Sequence, residues 1–173
     1  MGKLTMIEMK LKSGGKDMYR QIDDFLQEWS NASKGTLQVL QALTDDKLNQ
    51  NIVEGHSTLG WLGWHLVGAA GYFSYLAGLK VPMIPQEDPV PTTAADIVTA
   101  YENVANGIKE EVAKLSNEDL LEVVNGFTAP MPKGALLRVL IDHQTHHRGQ
   151  MTVLLRQAGL PVPAVMGPTK EMQ

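Results

Sequence analysis

Apolar residues recur at three- and four-residue steps along four long stretches of the chain, and each such stretch predicts an amphipathic helix. The first carries Tyr19, Ile22, Phe25, Leu26 and Trp29, then Leu37, Leu40 and Leu43, with a weaker middle over 30–35. The second starts after Ser57, read as its N-cap, and ends near Gly78. The third opens at Thr93 with Asp96 three residues on, and repeats Ile97, Tyr101, Val104, Ile108, Val112 and Leu115. Asn106-Gly107 has the composition of a hairpin turn, but the stripe runs straight through it, so helix is the reading. The fourth runs from about Gly134 to Ala158 and is closed by Gly159 and Pro161.

Between these stretches the polar residues supply punctuation. Thr44-Asp45-Asp46 and Ser116-Asn117-Glu118-Asp119 each predict a short extra helical turn, and the nine prolines gather in three clusters that break the chain. No stretch shows convincing strand alternation. The fold expected is therefore all-α, a four-helix bundle with short extra turns in its connections. An arm at 1–16, hinged at Ser13-Gly14-Gly15, precedes a helical domain over 17–160, and a tail follows at 161–173. Residues 58–78 are uncharged and just long enough to span a bilayer. They hold five glycines and a central His65 with no basic flank before them, which favours a buried core helix over a membrane crossing. The N-terminus lacks the layout of a signal peptide, and Met6 stands where a myristoylation signal needs Ser or Thr.

Composition narrows the chemistry. The 173 residues suit one domain, and 43% hydrophobic content supports a core without covalent staples. There is no cysteine, which excludes disulfides, thiolate ligands and a cysteine nucleophile, and fits a reducing cytoplasm. The net charge of −4, with scattered lysines and arginines, argues against nucleic acid as a partner. Soft metal chemistry must then run through the five histidines.

Three of the five lie in His143-Gln144-Thr145-His146-His147. Residues four apart share one helical face, so His143 and His147 can reach one ion. Chance predicts about 0.14 such pairs in a chain of this composition, so coincidence is the minority account. Their row also holds Leu136, Leu140, Gln150 and Leu154, an apolar setting in which imidazoles need partners. His65, among Trp61, Leu62, Gly68, Ala69 and Tyr72, supplies a third nitrogen from the second helix. Three protein ligands with a position left open is the catalytic rather than the structural pattern of a zinc-like site. Imidazoles suit zinc, nickel, iron or copper, and nothing in the sequence selects among them.

His146 is also within reach of His143 and is an alternative to His147 as ligand, although an Asp142–His146 pair on the helix flank is the simpler account of it. His56 reads as a solvated loop residue. Arg148 faces away from the His143/His147 row, toward solvent or an ion pair. Two known site types are excluded. A zinc-protease helix needs glutamate after its first histidine, where this chain has Gln144, and a ferritin-like di-iron bundle needs Glu-x-x-His pairs that are absent.

The run His143-x-x-x-His147-Arg148-Gly149-Gln150, continuing Met151-Thr152-Val153-Leu154-Leu155-Arg156-Gln157-Ala158-Gly159-Leu160-Pro161-Val162-Pro163, resembles the C-terminal signature of the DinB family. The segment Leu59-Gly60-Trp61-Leu62-Gly63-Trp64-His65 resembles the part where that family places its first histidine ligand. The resemblance covers roughly 18–168. It implies a four-helix bundle that holds one divalent metal through His65, His143 and His147, in a bacterial, cytoplasmic homodimer. It also implies kinship with metal-dependent transferases and isomerases that use a small cellular thiol. It carries no implication of DNA binding.

The leading expectation is a metalloenzyme with zinc or nickel, iron also being compatible, acting on a small molecule by thiol transfer or hydrolysis. Any attacking sulfur must come from an external thiol, since the chain has none. Gln150 and Tyr72, on the same faces as the ligands, are the candidates to orient substrate. A non-catalytic metal-binding or stress-response dimer is the alternative, and a bundle whose histidines merely hydrogen-bond in the core is the simplest one.

Overall fold

In the computed structural model, which describes residues 18–84 and 88–172, four helices form the body of the molecule. They are α1 (Ile22–Gln41), α2 (Leu59–Leu76), α3 (Ala94–Val112) and α4 (Lys133–Ala158). The N-terminal arm and Pro85 lie outside the described residues. Each of α1 and α2 packs along both α3 and α4, so α1 and α2 sit on one diagonal of the bundle and α3 and α4 on the other. This order sets α2 beside α4, and with them the two histidine-bearing segments.

The helix ends follow local hydrogen bonding. Thr93 caps α3, its hydroxyl accepting from the Asp96 N–H at 3.2 Å, as expected from their spacing. The cap of α2 is Thr58 rather than Ser57: the Thr58 hydroxyl accepts from the Trp61 N–H at 3.1 Å. The helix starts there because Thr58 still pairs in extended form with Asn51, and the Leu59 and Gly60 N–H groups donate back to Gln50 and Leu48. At the other end of the chain Gly159, with φ of 70°, closes α4 in the left-handed conformation that favours glycine. The first turn of α1 is capped from elsewhere, the Asn117 side-chain oxygen accepting the Ile22 N–H at 2.9 Å. Both expected short turns are present, at Asp45–Lys47 and Asp119–Leu121.

One element departs from the sequence reading. Val123–Asn125 (β1) and Pro130–Pro132 (β2) pair antiparallel as a small hairpin before α4. Three residues per strand are too few for alternation to register, and two prolines in β2 are tolerated because a two-stranded hairpin has only edges.

The core is filled by fully buried Phe25, Trp29, Leu40, Leu66, Ile97 and Leu140, among others, drawn from all four helices. The weak middle of α1 is continuous helix, and Gly35 within it is a seat. A Cβ there would stand 2.6 Å from the Val165 side chain and 3.3 Å from the Arg148 guanidinium. The segment after α4 thus lies against α1, and Val162 in it is buried with the core. On α2, Gly63 lies against Leu40 and Ile97 of its own chain, so close packing within the bundle accounts for this glycine. Among the described residues no helix is long and apolar enough to cross a membrane.

Candidate metal centre

His65 of α2 faces His143 and His147 of α4 across the interface between the two helices. Its Nε2 lies 3.3 Å from Nε2 of His143 and 3.2 Å from Nε2 of His147. Ligand atoms of the three residues all lie within 4.8 Å of one another, and all three side chains are half-buried. His146 has no place in this group; it is exposed on the flank of α4.

The spacing suits an ion. Metal–nitrogen bonds of about 2.0–2.1 Å at tetrahedral angles separate neighbouring nitrogens by about 3.3 Å. The proton inventory points the same way. His147 Nδ1 lies 2.7 Å from the Gln150 carbonyl oxygen, which can only accept, so Nδ1 carries the proton and Nε2 presents a lone pair to the cluster. With one proton per neutral imidazole, three converging Nε2 atoms cannot all find donors among themselves. A cation at their focus satisfies all three.

Electrostatics keep the rings neutral. Burial, reinforced by the charges that neighbouring His147, His65 and His146 would carry, lowers the pKa of His143 to about 4. Burial and then His147 lower that of His65. Burial also lowers that of His147, and the hydrogen bond to Gln150 partly opposes it. Neutral imidazole is the form that binds metal.

Residues around the three rings support them. Gln150 bridges the two neighbouring histidines, accepting from His147 while its amide nitrogen lies 3.3 Å from His146 Nε2. Asp142 does not pair with His146. Its carboxylate is taken by Arg138 one turn earlier, which also reaches Glu28 on α1. A guanidinium fork binds a carboxylate better than a neutral imidazole can, which is why the flank pairs this way. Trp61 stacks flat on His65, with ring centroids 4.8 Å apart and an interplanar angle of 6°, and holds that ring from the preceding turn of α2.

Phe73, which the sequence reading did not single out, packs edge-on to His143 at 5.4 Å, and exposed Phe127 of the hairpin loop follows behind it. Tyr72 is half-buried, and its described ring contact is with Phe73, at 6.4 Å. His56 is exposed in its loop, as expected. Arg148 does face away from the histidines, yet it is buried: its guanidinium donates to the Ala32 carbonyl at 2.8 Å.

A helical bundle with three imidazoles converging between two of its helices, so placed that they could hold a metal ion, is the class of protein defined here. The chain belongs to the DinB family, whose model matches residues 18–173. It is 40% identical over 155 residues to the uncharacterized protein YrdA of Bacillus subtilis, covering 89% of this chain and 93% of that protein. Among solved structures, a DinB-like protein from Bacillus cereus superposes with a TM-score of 0.81 at 43% identity, over 84% of this chain and 98% of that one. The DinB-like protein YjoA of Bacillus subtilis shares the fold with a TM-score of 0.68 at 16% identity, over 84% and 99% of the two chains.

Proposed function

We propose that this protein is a metal-dependent enzyme whose divalent ion, zinc or nickel, with iron also compatible, is held by His65, His143 and His147. The observation that carries the reading is the approach of His65 Nε2 to both other Nε2 atoms at 3.2–3.3 Å, with a proton placed on the far side of His147. Three neutral ligands leave the ion its full positive charge and leave coordination positions for a substrate. When bound, the ion supplies Lewis acidity for hydrolysis or for transfer of a small thiol.

The chain's own residues prepare the site. Trp61 and Gln150 orient two of the rings, and burial keeps all three neutral. Phe73 walls the His143 side from water. No carboxylate joins the group among the described residues, so a general base is supplied from outside the cluster or by the substrate. A small-molecule substrate, a cytoplasmic setting and a homodimer complete the proposal; the cysteine-free composition supports the setting.

The test is elemental analysis of the purified protein, followed by thiol-transferase and hydrolase assays with and without chelator. About one metal per chain and turnover that falls with His147→Ala support the reading. Metal content that is unchanged by His147→Ala overturns the ligand set, and metal without any turnover favours a non-catalytic metal-binding protein.

A further inference from the structure

The Arg148 guanidinium has no counter-ion among the described residues. It is 4% exposed, and its contacts are the Ala32 carbonyl at 2.8 Å and the hydroxyls of Thr36 and Thr145, both at 3.4 Å. These use Nη1 and one hydrogen of Nη2, so Nε–H and a second Nη2–H have no acceptor among the described residues. An arginine keeps its charge, and a buried charge without a partner is costly.

That side chain forms part of the wall of a cavity of about 390 Å³ between α4 and the segment that follows it. Thr145, Thr152, Arg156 and Thr169 line the same cavity, and among the described residues no acidic side chain does. Arg156 is already neutralised by Glu171, its Nε donating at 2.6 Å, whereas Arg148 is not. The Thr169 hydroxyl oxygen is buried there, beside the Glu171 carboxylate. A cation with free donors, a buried hydroxyl and an enclosing segment meet at one place, on a different face of α4 from the histidines.

From this juxtaposition we infer that the cavity binds a small oxyanion, a phosphate or a carboxylate group, with Arg148 as its principal partner. The Nε–Nη2 edge of a guanidinium matches two oxygens of such a group in bidentate fashion. Bound there, the anion ties the C-terminal segment to α4 and completes the charge balance of the interior. The site is independent of the metal centre and stands whether or not that centre is catalytic.

The experiment is a calorimetric titration of the full chain with inorganic phosphate, and separately with acetate, at constant ionic strength. Thr152→Glu places a carboxylate one turn from Arg148 on the cavity wall, and Thr169→Val removes the buried hydroxyl. One saturable anion per chain is expected, weakened about tenfold or more by Thr152→Glu and to a smaller degree by Thr169→Val. Binding should persist in His147→Ala. The stronger of the two ligands identifies which oxyanion the site prefers. Heat no larger than that from chloride overturns the proposal, as does binding that survives Thr152→Glu but is lost in His147→Ala.

Discussion

The Tyr101 hydroxyl of α3 donates to the side-chain oxygen of Gln144 on α4 at 3.0 Å, at a point where both residues are fully buried. The same oxygen accepts from Thr36 of α1 at 3.3 Å, and the Gln144 amide nitrogen donates to the Leu66 carbonyl of α2 at 3.1 Å. One side chain therefore ties all four helices together, one residue from His143 and on the turn that joins His143 to His147. In the sequence Gln144 is notable only as the residue that cannot be a protease base. In the fold it sets the register of α4 against α2.

Replacing Gln144 with leucine should strand the Tyr101 hydroxyl in an apolar interior, whereas the Thr36 hydroxyl keeps the Ala32 carbonyl as acceptor. We expect a loss of about 2–4 kcal/mol in urea unfolding, and about 1 kcal/mol for Tyr101→Phe, which removes a single donor. Equal losses for the two variants would show that Gln144 is not the shared node.

Gln150 is exposed, so Gln150→Ala should leave the fold intact while freeing the His147 ring. Removing such an outer hydrogen bond typically weakens metal affinity by about 10–100-fold. Competition with a chromophoric chelator measures it. His146→Ala should change affinity much less, and a larger effect there than at Gln150 would move the ligand assignment toward His146.

The three ligand histidines should act as a unit. His65→Ala, His143→Ala and His147→Ala are each expected to abolish stoichiometric metal, and to remove the rise in melting temperature that zinc or nickel gives the parent protein. A variant that still gains the full increment identifies a residue outside the coordination set.

Protonation should destabilise the metal-free protein. The His143 pKa of about 4, and the lowered values of His65 and His147, lie below the ordinary value near 6.5 that each regains on unfolding. Between about pH 6.5 and 4 the unfolded chain therefore binds more protons, so stability is lost as pH falls through that window and is flat above it. Melting temperatures of chelator-treated protein from pH 7.5 to 4 check this, and His143→Asn should show a shallower decline. A parent curve with no slope across the window would contradict the burial argument.

Residues whose role is periodic or local were legible before any tertiary contact was known. The stripe from Ile97 to Val112, the Thr93 cap and the Gly159 stop depend on neighbours within one or two turns, and each appears where the spacing places it. The pairing of His143 with His147 is equally local, because residues four apart on a helix share a face. Asn117 capping α1 and the proline-bearing hairpin were not legible, since a partner 95 residues away and a three-residue strand leave no period.

The chain's order of residues by itself determined four helices, their ends to within about three residues, and a pair of imidazoles with His65 as the candidate third. Only the tertiary structure decided that α2 lies beside α4, bringing His65 to the pair, and that Asp142 turns to Arg138 while Gln150 holds His147. It also decided that Arg148 is buried against α1 instead of solvated. The physical reason is range. Helix propensity and capping act over a few residues, whereas a metal centre, a buried polar node and a desolvated charge depend on groups that only packing brings within about 3 Å.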